Sequence, residues 1–112
     1  MASPKLPATM TEVAISSPGG PEALQPRTVP TPVPGSGELL VRVMAAGVNR
    51  PDVLQRKGLY PVPPGVTQTP GLEIAGEVVA TGASVTEFAI GDPVFGLTDG
   101  GGYAEYCLLP AG

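Results

Sequence analysis

Glycine and proline interrupt this sequence so often that long regular elements have little room. The chain contains 16 glycines and 15 prolines among 112 residues, and most of them fall between short apolar runs. Proline cannot donate to a sheet ladder and breaks helix interiors, while glycine favours turns. Hydrophobic residues make up 42% and charged residues only 14%, the reverse of a disordered chain. The sequence therefore predicts a mainly β fold of short strands and tight turns.

The apolar runs predict six strands and one short helix. The longest strand alternates, with Leu39 and Val43 expected on one face and Leu40 and Met44 on the other. Asn49 to Asp52 have the residue types of a capped helix start, and Gly58 is placed to end that helix. Gly76 indicates a bulge or a close backbone approach. We expect a β-barrel or strongly curved sheet after a loose tail at residues 1–8, with strands at 9–16, 23–29, 38–48, 72–81, 94–97 and 103–109.

Charge and cysteine content exclude several classes of function. A net charge of −4 gives no basic surface for phosphates, so we expect no nucleic-acid partner. The first ten residues contain no apolar h-region, so we expect no signal peptide, and no apolar run approaches the ~18 residues of a membrane span. One cysteine cannot form an internal disulfide and suggests a reducing compartment. A cytoplasmic location is the expectation. The low charge fits either a missing neighbour or simply an apolar small domain.

Four segments in order carry a resemblance to a known family: GELLVRVMAAGVNRPDVLQRKGLYPVPPG, TPGLEIAGEVVATG, SVTEFAIGDPVFGL and GGYAEYCLLP. Together they resemble the medium-chain dehydrogenase/reductase superfamily, and within it the zinc-free quinone oxidoreductases. The resemblance implies that residues 9–112 form the GroES-like, substrate-side domain, a curved β-barrel. In this family a Rossmann domain follows, and no G-x-G-x-x-G turn for it occurs here. The resemblance also implies a homodimer for the intact enzyme.

The resemblance implies chemistry without zinc. Zinc-dependent members carry a cysteine after the long strand and a His-Glu pair at the later one. Here those positions hold Asn49 and Leu72-Glu73, and the chain has one cysteine and no histidine. Without a metal, the expected reaction is hydride transfer from NADPH to a small-molecule quinone or activated alkene. The 112-residue chain alone is expected to be inactive, because the cofactor would be held mainly by the absent domain.

Two residues are the expected catalytic groups. Asn49 matches the family position that faces the nicotinamide and substrate, although a plain helix N-cap fits equally well. Tyr60 matches a tyrosine that faces the substrate cleft, where its hydroxyl could bond the quinone or donate a proton; aromatic packing under the proline-rich loop is the alternative. Arg50 lies either near the cofactor or on the surface.

The other polar candidates favour structural roles. Asp52 is expected to serve the helix start rather than act as a catalytic acid. Glu73 is expected to form an ion pair or hydrogen bond, with Arg50 as a candidate partner, and Cys107 is expected to be a buried, inert thiol. Tyr103 and Tyr106 are expected in the core or an interface. Two other functions remain open: an enoyl reductase of the same superfamily and a non-enzymatic GroES-like binding module. The LYPVPPG run favours the quinone branch.

Overall fold

The computed structural model describes residues 6–111, which form six strands and one α-helix. The elements are β1 (Thr9–Ile15), β2 (Leu24–Pro30), β3 (Glu38–Ala46), α1 (Arg50–Arg56), β4 (Glu73–Thr81), β5 (Pro93–Leu97) and β6 (Tyr106–Pro110). These bounds confirm every predicted strand and the helix to within three residues at each end. The sequence did not predict a short 3-10 turn at Pro21–Ala23. The predicted tail at 1–8 falls partly on residues 1–5, which lie outside the described residues.

The strands form two antiparallel sheets rather than the closed barrel we expected. One sheet has the order β5-β4-β3-β6, and β1 pairs with β2 in the other. An isolated bridge between Glu12 and Ala104 joins the two sheets beside β6. Within residues 6–111, β5 and β2 do not pair with each other, so the strands do not close into a barrel. The mainly β class is confirmed, and the expectation of a barrel is corrected on this point.

An apolar core cluster lies on one face of the four-stranded sheet, and Leu40 is buried on the other face. Leu39, Val41, Ile74, Val78 and Leu109 are all buried in the cluster, as the alternating pattern predicts. The alternation fails at the end of β3, where the register against β4 shifts between Val43 and Ala45 and leaves Ala45 exposed.

The backbone of β4 lies close to that of β3 at Gly76. A Cβ atom at this position would overlap the Arg42 carbonyl oxygen, so only glycine fits. The close backbone approach predicted for Gly76 is therefore confirmed.

Helix α1 begins and ends as its sequence predicts. Asn49 is the N-cap and forms a capping box with Asp52. At the other end, Gly58 N–H donates to the Gln55 carbonyl and Leu59 N–H to the Leu54 carbonyl, which is a Schellman motif. Neither α1 nor any other helix in the described part of the chain has the length and apolar character needed to cross a bilayer.

Candidate functional site

The N-terminal end of α1 carries the most densely hydrogen-bonded polar group of the described residues. Asp52 is only 4% exposed, and its carboxylate accepts three hydrogen bonds. Its Oδ2 accepts from the Asn49 backbone N–H at 3.0 Å and from the Tyr103 hydroxyl at 2.9 Å. Its Oδ1 accepts from the Gly71 N–H at 3.1 Å. Three donors compensate for the burial of a carboxylate, which would otherwise be costly. One side chain thus connects α1, the loop before β4 and the segment before β6.

The loop that contains Gly71 lies directly against the segment that contains Tyr103. Tyr103 N–H donates to the Pro70 carbonyl at 3.1 Å, and Gly102 N–H donates to the Gly71 carbonyl at 3.0 Å. Gly71 has a φ of +106°, and a Cβ atom there would meet Tyr103 N at 2.6 Å. Glycine is therefore required at position 71 both by its conformation and by the neighbouring backbone.

Tyr103 is held in its neutral form. Burial, then the hydrogen bond to Asp52 and then the charge of that carboxylate raise the pKa of Tyr103 to about 12. At neutral pH the phenol therefore remains a hydrogen-bond donor to Asp52. The sequence placed Tyr103 in the core or an interface, and no local pattern pointed to its bond with a residue 51 positions earlier.

Asn49 projects its amide from the N-cap position toward the start of β4. Its Nδ2 donates to Glu73 Oε1 at 3.3 Å, and the Gly47 N–H donates to the Glu73 carbonyl at 2.9 Å. The partner of Glu73 is therefore Asn49 and not Arg50, which we had considered. Arg50 is exposed, and the salt bridges among residues 6–111 are Arg27 with Glu12 and Arg42 with Glu77.

Tyr60 lies beyond the opposite end of α1, and its side chain is 39% exposed. It borders a cleft of about 270 Å³ together with Ala14, Pro18, Gln55 and Gln68. Because an α-helix rises 1.5 Å per residue, the seven residues of α1 separate the two candidate residues by about 10 Å along its axis. The structure therefore does not bring Tyr60 into contact with Asn49.

An apolar groove of about 550 Å³ runs beside Glu73, between the end of β3 and the edge strand β5. Ala45 and Ala46 form one side, and Phe95 and Leu97 form the other. Phe95 is 86% and Leu97 75% exposed, so this edge presents large apolar side chains to solvent. Asn49 and Glu73 thus lie next to an apolar surface, whereas the cleft beside Tyr60 shares no lining residue with the groove.

The metal and thiol chemistry of the described residues is limited. The cysteine, aspartate and glutamate side chains of the described residues form no group of three or more that could hold a metal ion. Cys107 is buried in β6, as predicted, and its thiol donates to the Gly100 and Leu108 carbonyls. Burial raises the pKa of this thiol to about 11, although the nearby Thr98 hydroxyl acts to lower it. The thiol is thus overwhelmingly protonated at neutral pH and a poor nucleophile.

Comparison with known proteins defines the family. The model of the alcohol dehydrogenase GroES-like domain matches residues 35–112. The chain is 43% identical over 101 residues to a quinone oxidoreductase of Lama guanicoe, covering 88% of this chain and 31% of that protein. It is 40% identical over 88 residues to the human synaptic vesicle membrane protein VAT-1 homolog, covering 79% of this chain and 22% of that protein. The chain belongs to the alcohol dehydrogenase GroES-like domain family, in agreement with the resemblance seen in its sequence.

Solved structures show the same fold. The human VAT-1 homolog-like protein matches with a TM-score of 0.83 and 35% identity, over 91% of this chain and 33% of that one. The quinone oxidoreductase of Coxiella burnetii matches with a TM-score of 0.81 and 29% identity, over 91% and 35% of the two chains. The chain therefore spans about a third of the length of the relatives that it matches.

Two further relatives were solved with bound groups. A mycobacterial protein complexed with NADPH matches with a TM-score of 0.77 and 36% identity, over 91% of this chain and 30% of that one. A thermostable alcohol dehydrogenase of Pyrobaculum aerophilum with bound cobalt and zinc matches with a TM-score of 0.80 and 33% identity, over 92% and 39%. Structural relatives of this chain thus include one with bound NADPH and one with bound cobalt and zinc.

Proposed function

We propose that this chain is the substrate-side domain of an NADPH-dependent, zinc-independent oxidoreductase that reduces quinones. Identity of 43% to a quinone oxidoreductase is the observation that carries this proposal. The proposed domain comprises residues 9–112, and a Rossmann domain elsewhere in the intact protein would complete the enzyme and its dimer. A cytoplasmic location belongs to the same proposal.

The nicotinamide end of the cofactor would contact this chain. The described residues form no strand–glycine turn–helix unit for a pyrophosphate, because Gly100 and Gly101 precede β6 and Gly101 N–H bonds the Thr69 carbonyl. Asn49 has an exposed amide at the start of α1, which can bond a carboxamide or a ribose hydroxyl. The residues therefore fit the reactive end of the cofactor and not its phosphates. When bound, the reduced nicotinamide supplies a hydride, and the quinone also takes up a proton to become the hydroquinone.

The chain's own residues would orient the reactants and supply hydrogen bonds. Asp52 fixes the backbone of Asn49, so the amide is positioned before a ligand arrives. The Tyr60 hydroxyl would bond a quinone oxygen or deliver its proton. Because Tyr60 and Asn49 lie at opposite ends of α1, a ligand that meets both must extend along the helix, or Tyr60 must approach on binding. Arg50, on the exposed first turn of α1, is available to the cofactor.

Zinc independence is supported by the residues that replace the expected ligands. Asn49 and Leu72 occupy the positions of a cysteine and a histidine in zinc-dependent members, and the only cysteine is the buried Cys107. A tetrahedral zinc site needs four suitable ligands, and an amide and a leucine do not supply them.

The test uses the full-length protein. We expect oxidation of NADPH with 1,4-benzoquinone and 1,4-naphthoquinone, no loss of rate after dialysis against a chelator, and no zinc by elemental analysis. Reduction of enoyl thioesters with no quinone turnover would favour the enoyl reductase instead. Absence of NADPH binding would favour a non-enzymatic module. The 112-residue chain alone should show no NADPH oxidation.

The role of Tyr60 has its own test. Tyr60→Phe removes only the hydroxyl and should lower kcat with quinones by about tenfold or more, because a donor to the developing oxyanion is lost. Tyr106→Phe is the matched control. Unchanged kcat and KM with several quinones would remove Tyr60 from the site.

A further inference from the structure

One hydrogen bond orients the amide of Asn49. Its Nδ2 donates to Glu73 Oε1 at 3.3 Å, while the Asp52 N–H donates to the Asn49 backbone carbonyl at 3.0 Å. A carboxylate accepts hydrogen bonds and cannot donate one. Rotation of the amide by 180° would therefore place its oxygen against Glu73 Oε1, acceptor against acceptor. Glu73 thus favours one of the two amide orientations.

Glu73 is kept beside Asn49 by the backbone of Gly47. The Gly47 N–H donates to the Glu73 carbonyl at 2.9 Å. Because Gly47 lies two residues before Asn49, this bond holds the start of β4 beside Asn49. A Cβ atom on Gly47 would overlap Glu73 Oε1 and would lie 3.4 Å from Asn49 Nδ2. The space that Gly47 leaves open is thus the space in which the carboxylate reaches the amide.

We propose that Glu73 is a positioning residue that fixes the Asn49 amide for the nicotinamide nucleotide, and that Gly47 makes room for it. This inference rests on the proposed function. A nicotinamide carboxamide presents both a donor and an acceptor, as the Asn49 amide does, whereas a quinone presents only acceptors. An amide fixed in one orientation is complementary to the carboxamide without the cost of ordering it on binding.

Charge alone predicts the opposite effect of removing Glu73. The carboxylate is negative, and so are the phosphates of the nucleotide, so its removal would tighten nucleotide binding if it acted only through its charge. Positioning predicts weaker binding. Tighter nucleotide binding after removal of Glu73 would therefore indicate an effect of charge, and weaker binding would indicate positioning of Asn49.

The test is the affinity of the full-length protein for NADP⁺, measured by calorimetry without turnover. We expect Glu73→Ala to weaken binding by about three- to tenfold, the range of one net hydrogen bond. Glu73→Gln keeps an acceptor at the same length and should stay within about twofold of wild type. Gly47→Ala leaves all charges in place and should reproduce the loss. Glu77→Ala removes a carboxylate from the same strand, away from Asn49, and is the matched control.

Steady-state kinetics adds a second readout. The KM for NADPH should rise in Glu73→Ala and Gly47→Ala, while the KM for 1,4-benzoquinone stays unchanged. Wild-type or tighter NADP⁺ binding in both variants would overturn the inference, as would a rise in the quinone KM alone. If either Glu73→Ala or Gly47→Ala fails to fold, the NADP⁺ affinity of the other variant tests the inference, because the two substitutions change different atoms. Failure of quinone reduction by a wild-type protein that binds NADP⁺ would count against the proposed function only.

Discussion

The two ends of α1 differ in how the chain holds its candidate residues. At the N-terminal end, the buried carboxylate of Asp52 bonds Asn49, Gly71 and Tyr103, which come from three separate segments. At the C-terminal end, Tyr60 projects from a proline-rich loop with 39% of its surface exposed. A group held by long-range bonds is fixed before a ligand arrives, whereas an exposed loop residue is free to adjust. Helix α1 therefore presents a rigid group at one end and an adaptable group at the other.

Removal of the Asp52 carboxylate should lower the free energy of unfolding more than any other substitution at the two ends of α1. Asp52→Ala leaves the Gly71 N–H and the Tyr103 hydroxyl without their acceptor in a buried place and deletes the capping-box acid. We expect the free energy of unfolding to fall by about 4 kcal/mol. Denaturant unfolding measures the loss, with the exposed Asp99→Ala as control. A loss under about 1 kcal/mol would contradict the idea of a tightly held N-terminal end.

Substitution of Gly71 tests the backbone contact between the Gly71 loop and the segment that contains Tyr103. Gly71→Ala combines a φ of +106° with a Cβ that meets Tyr103 N at 2.6 Å, so the two loops must separate. We expect a loss of about 3 kcal/mol in the free energy of unfolding. Gly65→Ala is the control, because Gly65 also has a positive φ of 82° but open space around its Cβ position. Equal losses in both variants would mean that the loop contact is unimportant.

The Tyr103 hydroxyl should have a smaller effect that depends on pH. Tyr103→Phe removes one charge-assisted bond to Asp52 and should lower the free energy of unfolding by about 1.5 kcal/mol, against less than about 0.5 kcal/mol for Tyr106→Phe.

The pKa of Tyr103 in the folded chain, about 12, lies above its ordinary value of 10.0, so folding favours the neutral phenol. That stabilisation is complete below pH 10 and is lost as the pH rises toward 12. Absorbance titration of tyrosinate measures it, and a Tyr103 titration near pH 10 would contradict the proposed bond.

The smallest effect on stability is expected at the other end of the helix. Tyr60→Phe should change the free energy of unfolding by less than about 0.5 kcal/mol, because the residue is exposed and its hydroxyl is not tied into a buried network. A loss above 1 kcal/mol by denaturant unfolding would show that Tyr60 is a structural residue, and the contrast between the two ends would disappear.

Local features of this site could be predicted from the sequence, and contacts between distant segments could not. The capping box joins residues three positions apart, so the types of Asn49 and Asp52 and their spacing were sufficient. The bonds of Asp52 to Gly71 and Tyr103 span 19 and 51 positions and depend on how the loops meet. The sequence offered Arg50 as the partner of Glu73 by charge, but the fold brings Asn49 to it instead.

The same distinction applies to the fold. Turn residues and alternation located the strands to within three residues, because these signals are local. Closure of a barrel requires pairing between strands far apart, and nothing in the pattern of β2 or β5 specified a partner. The register shift near Val43 also depends on the fit of β3 against β4, so the exposure of Ala45 was not predicted.

The NADP⁺ affinity of the full-length Asn49→Ser variant tests whether Asn49 belongs to the cofactor site. Serine caps a helix as well as asparagine does, so the free energy of unfolding should change by less than about 0.5 kcal/mol. The amide is lost, and we predict NADP⁺ binding about tenfold weaker than that of the wild type. Wild-type affinity in a normally folded Asn49→Ser protein would show that Asn49 is a helix cap and not part of the cofactor site.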